Sequence, residues 1–96
     1  MMKASDLVGL WLERRFGFNH NSVRARDLPF VYYSHYMKIY DEDFWIRVKV
    51  DDQARQVSVW CEAGAKGGYE GLLLSLCDPD CFEVLETYLW ERFSGV

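Results

Sequence analysis

The sequence predicts an α+β fold of order αββββα. It is a two-layer domain in which a mostly antiparallel meander sheet carries the N-terminal and C-terminal helices on one face. Three observations predict it. Residues 44–50 and 56–62 alternate with period two: Phe44, Ile46, Val48 and Val50 against Trp45, Arg47 and Lys49, then Val57, Val59 and Cys61 against Ser58, Trp60 and Glu62. Successive side chains of a strand point to opposite sides, so such alternation marks a strand with one buried face. The polar link 51–55 is short enough to make these two strands a hairpin. The segments at both ends of the chain instead show helical spacing with end signals.

The hairpin register follows from keeping each face chemically uniform. Val50 faces Val57, Val48 faces Val59 and Ile46 faces Cys61. On the other face Lys49 meets Ser58, Arg47 meets Trp60 and Trp45 meets Glu62.

The first helix is expected from Ser5 or Asp6, as N-cap, to about Phe16. Leu7, Leu10 and Trp11 form its apolar arc, widened by Val8 and Leu12. Arg14 and Arg15 suit the negative end of the helix dipole, and Gly17 is placed to end it. Residues 18–29 read as a loop, with turn-forming Asn19, Asn21 and Ser22 and with Pro29 turning Leu28 away from helix. His20 in that loop has no nucleophile or carboxylate at a recognisable spacing and reads as surface.

Residues 30–40 form the first strand. Val31, Tyr33, His35, Met37 and Ile39 share the core side, and Phe30, Tyr32, Ser34, Tyr36, Lys38 and Tyr40 the other. A strand this long allows a bend, a bulge or an overhang. Gly64, Gly67 and Gly68 make a flexible loop around Lys66 that does not match a phosphate-binding pattern. Residues 69–77 complete the sheet, with Leu72, Leu74 and Leu76 inward. Asp78 as N-cap with Pro79 behind it opens a helix reaching about Phe93. Its stripe is Phe82, Leu85, Leu89 and Phe93, flanked by Cys81 and Tyr88, while Trp90 lies off it at the sheet edge.

Ninety-six residues make a single domain spanning 1–96. Half of them are hydrophobic and 27% charged, a globular balance. The formal net charge of −4 argues against a general nucleic-acid binder. Its distribution is uneven. The first 55 residues are close to neutral, including a basic group of Arg14, Arg15, Arg24 and Arg26, and the remainder is acidic. Three cysteines do not form a disulfide framework and point to a reducing, cytoplasmic setting. No apolar run is long enough to span a membrane.

Chemical motifs are sparse. Cys77 and Cys81 have C-x3-C spacing, but the structural C-x2-C knuckle is absent and Cys61 faces the core, so the thiols read as small hydrophobes and no metal or cofactor is expected. The acidic residues Asp41, Glu42, Asp43, Asp51 and Asp52 fall in two turns at opposite ends of one strand and cannot share an ion. No catalytic residue is assigned, and the chain leans towards a non-enzymatic role.

One feature remains. With both helices on the Ile46 side, the opposite face presents Tyr32, Tyr36, Tyr40, Trp45, Arg47, Lys49 and Trp60. Such a face is usually polar, and Trp, Tyr and Arg are enriched at binding hot spots. The leading expectation is a protein-interaction module, a homodimer or a small inhibitor or immunity-type protein, binding through this face. The alternative is a small-ligand-binding protein or small enzyme with a cavity between helices and sheet, using Tyr33, His35 and Cys61.

Overall fold

The computed structural model describes residues 4–20, 30–39, 41–63 and 71–94. These form α1 (Ala4–Phe16), β1 (Asn19–His20), β2 (Phe30–Ile39), β3 (Glu42–Asp51), β4 (Gln56–Ala63), β5 (Leu72–Ser75) and α2 (Cys81–Ser94). The sheet is an open antiparallel meander in the order β1-β2-β3-β4-β5. The αββββα architecture is therefore the one the alternation implies. β1 is a two-residue addition at the edge, where Asn19 and His20 pair with Ser34 and Tyr33 in a stretch expected to be loop. Among the described residues, no helix is long and apolar enough to cross a membrane.

The β3–β4 register is the expected one: Val50 opposite Val57, Val48 opposite Val59 and Ile46 opposite Cys61. β2 pairs with β3 without a break, from Phe30 opposite Asp51 to Ile39 opposite Glu42, so its length needs no bulge. The turn between them places Asp41 at φ 66°, a left-handed conformation that aspartate tolerates. In the second hairpin the Asp51 carboxylate accepts the N–H groups of Gln53 and Ala54 at 3.0 and 2.9 Å. Arg55 completes it at φ 54°.

Ile46, Val48, Val50, Val57, Val59 and Cys61 are all buried. Both helices close over them: Val8, Leu12 and Phe16 from α1, and Cys81, Leu85, Tyr88 and Leu89 from α2. Burying an aliphatic side chain of this kind contributes about 1.5–3 kcal/mol. A one-residue slip would move the whole stripe to the open side, so this stripe pins the register. Leu72, Leu74 and Leu76 pack partly buried against the same core, as the inward reading of 69–77 requires, although the described strand covers only Leu72–Ser75.

The helices are rotated from the expected faces. Leu7 is exposed while Val8 and Leu12 are buried. Phe82 is also exposed, and Cys81 and Tyr88 take the inward positions beside Leu85 and Leu89. The reason is the second layer. The helices touch each other as well as the sheet, through Trp11 against Phe82 at 5.4 Å and Phe16 against Trp90 at 5.1 Å between ring centroids. Arg15 also donates to Glu86. Trp90 thus packs on α1, not on the sheet edge, and its indole donates to Glu86 at 3.3 Å. An aromatic residue beside the stripe is used between helices, freeing smaller side chains for the sheet.

Both ends of α1 and the start of α2 are tied down. Gly17, at φ 70°, turns the chain so that Phe18 N–H reaches the Leu12 carbonyl at 3.2 Å. At the start of α1 the cap comes from far along the chain. The Asp52 carboxylate accepts both the Ser5 N–H at 2.9 Å and the Ser5 hydroxyl at 2.6 Å, and Tyr33 donates its hydroxyl to the Ser5 carbonyl at 2.8 Å. Ser5, expected as a cap in its own right, is fully buried and is instead the group being satisfied. At the start of α2 the Asp78 carboxylate accepts Asp80 N–H at 2.9 Å, so Pro79 lies in the lead-in turn and the helix proper begins at Cys81.

Two outcomes follow. Asp52→Ala leaves the buried Ser5 hydroxyl and N–H without their acceptor and should cost about 1–3 kcal/mol. Ser5→Ala should cost less in the Asp52→Ala background than in wild type, a coupling that chemical denaturation of all four proteins measures. Gly9→Ala should also destabilise, although alanine is the better helix former by about 1 kcal/mol. A Cβ there would lie 2.3 Å from the Tyr33 hydroxyl and 2.5 Å from its ring, which the bond to Ser5 holds in place. A raised melting temperature for Gly9→Ala would contradict this packing.

Candidate functional site

The outward positions of β2, β3 and β4 meet in rows set by the register. Tyr36 pairs with Trp45 and Trp45 with Glu62; Ser34 with Arg47 and Arg47 with Trp60; Tyr32 with Lys49 and Lys49 with Ser58. The packed sides of α1 and α2 lie on the other face, and no described element packs on this one.

Arg47 is the centre of the arrangement. Its Nε donates to Glu62 Oε2 at 2.8 Å and its Nη1 to Ser34 Oγ at 2.8 Å. Glu62 Oε1 in turn accepts the Trp60 indole N–H at 2.9 Å. The guanidinium lies 5.7 Å from the Trp45 ring centroid, within cation–π range. Trp45 packs on Tyr36 at 5.3 Å, and Trp60 meets Tyr32 edge-on at 6.4 Å. Tyr32 continues to Phe30 at 5.4 Å, where the Lys49 ammonium sits 4.4 Å from the ring centroid. The aromatic rings therefore form one connected surface, held in fixed orientations by a buttress of one arginine and one glutamate.

The electrostatics follow from these contacts. Glu62 is held below the ordinary carboxylate value first by the Trp60 N–H and then by Arg47, with partial burial pulling the other way. Tyr36 donates its hydroxyl to Asp43, which raises its pKa; burial and the negative charge of Asp43 add to the effect. Both groups keep their neutral-pH charge states, so the face presents fixed charges and an uncharged phenol.

Tyr32, Tyr36, Trp45, Arg47, Lys49 and Trp60 thus share one continuous surface. Tyr40 lies outside the described residues, as do Arg24, Arg26 and the loop 64–68. Glu62 and Ser34 were not singled out in the sequence, yet they orient Arg47. The signal was available for Glu62: it lies on the same face two residues beyond Trp60, diagonal to Arg47.

Tyr33, His35 and Cys61 face the other side, in separate surroundings. Tyr33 is buried with its hydroxyl on Ser5. His35 is half-buried at the rim, its Nδ1 3.3 Å from the Gly17 carbonyl and its ring 5.5 Å from Phe18. Cys61 is buried with its sulfur 3.7 Å from the Tyr88 hydroxyl. Ile46 and Val48, both fully buried, fill the strand between β2 and β4 on this face. Burial and then the neighbouring Cys61 push the Tyr88 phenol up, and Arg92, stacked 4.3 Å over its ring, opposes this. No family model, curated protein or solved structure matches this chain.

The Glu62 contacts predict an acid dependence. A pKa lowered on folding stabilises above the unfolded value and ceases to do so as pH falls through the folded value. About a third of the Glu62 side chain is open to water, so the contribution is at most about 1 kcal/mol. Glu62→Gln should therefore be less stable than wild type at neutral pH, and the gap should close below the usual carboxylate value of 4.5. Urea denaturation across that range reads it, and a gap that does not change with pH would remove the charged role of Glu62.

Proposed function

We propose that this protein is a non-enzymatic interaction module that forms a homodimer through the aromatic and basic outer face of its sheet, as a small inhibitor or immunity-type protein does in recognising a protein surface. The observation that carries the reading is the connected surface of Tyr32, Tyr36, Trp45 and Trp60 around Arg47, on a face against which no described element packs. Rings fixed in place lose little freedom on binding, which favours association.

Charge supports a second copy as the partner. Along β3 the outward residues are Asp43, Trp45, Arg47, Lys49 and Asp51, and Glu62 lies opposite Trp45. A two-fold axis near Arg47 would set Lys49 of one copy against the Trp45 and Glu62 row of the other, a self-complementary contact of the kind an isologous interface requires. Over β3 and β4 the space beneath the helices supports a non-enzymatic reading, since Ile46, Val48, Val59, Leu85 and Leu89 fill it at 1% exposure or less. Free thiols at Cys61, Cys77 and Cys81 fit a cytoplasmic location.

Sedimentation or light scattering should give twice the chain mass, falling to a monomer in Trp45→Glu and Trp60→Glu with circular dichroism retained. Lys49→Glu would set a carboxylate against Glu62 of the second copy and should weaken the dimer. A monomer at high concentration in the wild type overturns the dimer.

A further inference from the structure

A second surface lies along α2, away from the aromatic face. Between this helix and the start of β5 runs an open cleft of about 780 Å³. Its apolar floor is Leu72, Val84 and Tyr88, and 40% of Val84 is exposed. Asp80, Glu83 and Glu91 rim it at spacings of three and eight residues, which place them along one side of the helix. Among the described residues no ion pair engages these three carboxylates. The cation of the cleft, Arg92, is stacked on Tyr88.

The sheet supplies the other wall. β5 is its terminal strand, and among the described residues its outer edge pairs with nothing. An open edge offers main-chain donors and acceptors to an added strand. A strand placed there would direct alternate side chains towards α2, where the three carboxylates call for positive charge. We propose that this cleft receives an extended, lysine- or arginine-bearing segment of a partner protein, which adds as a strand to β5 and sets its basic side chains against Asp80, Glu83 and Glu91. The surface is separate from the one proposed for self-association and does not depend on it.

The test uses the full chain labelled with ¹⁵N and a capped peptide of alternating lysine and valine, titrated and followed by NMR. Shift changes should cluster at residues 71–75 and 80–92 and weaken with salt. The double variant Glu83→Gln/Glu91→Gln, altered only at exposed positions, should bind roughly three- to tenfold more weakly, as two exposed ion pairs imply. Methylation of alternate peptide nitrogens on the edge-facing side should abolish binding, and an alternating glutamate–valine peptide should not bind. Shift changes spread over the whole surface, unchanged affinity in the double variant, or full binding of the methylated peptide would each overturn the proposal.

Discussion

The structure depends on the buried stripe shared by β3 and β4. Ile46, Val48 and Val50 lie directly opposite Cys61, Val59 and Val57, and all six are inaccessible to water. Their alternation with Trp45, Arg47, Lys49, Ser58 and Trp60 leaves a single register in which the apolar groups meet. Once that register is set, both helices have one face to cover, and two tryptophans and an arginine are brought together on the other. The candidate interaction surface is thus a consequence of core packing.

Polar contacts over long sequence distances then lock each layer. Asp52, in the β3–β4 hairpin, reaches Ser5 at the start of α1, while Tyr33 of β2 holds the next polar group of the same residue. Buried polar groups are costly unless satisfied, so this set ties the entry of the helix to one corner of the sheet. On the opposite face Arg47, Glu62 and Trp60 play the corresponding part in a half-open setting, where each bond counts for less but ring orientation is constrained.

The hairpin register, the sidedness of β2 and the inward leucines of β5 were legible because period-two alternation identifies a face without reference to anything else. The helix faces were legible only coarsely. In α1 the apolar arc from Leu7 to Leu12 is wide enough to admit several rotations, and in α2 Phe82 and Trp90 look as suited to a core as Tyr88. β1 escaped notice because two residues carry no period, and Asn19 and His20 resemble a turn. Within the candidate site, the aromatic members were legible as residues on one face. The contacts with Arg47 were less so: Glu62 shares its face but reaches it diagonally, which depends on side-chain conformation, and Ser34 lies directly opposite it only in the β2–β3 register, which the turn between those strands does not fix.

By itself the sequence determined an αββββα order, a hairpin register and the two chemically distinct faces of the sheet. These are properties of short-range pattern, in which each residue's side follows from its neighbours. The tertiary structure decided the rotation of the helices, the capping of α1 by Asp52 and the joining of Tyr32, Trp60, Arg47, Trp45 and Tyr36 into one surface. Each of these requires residues distant in the chain to meet, and which of several allowed contacts forms is settled by packing the helices against each other and against the sheet at once.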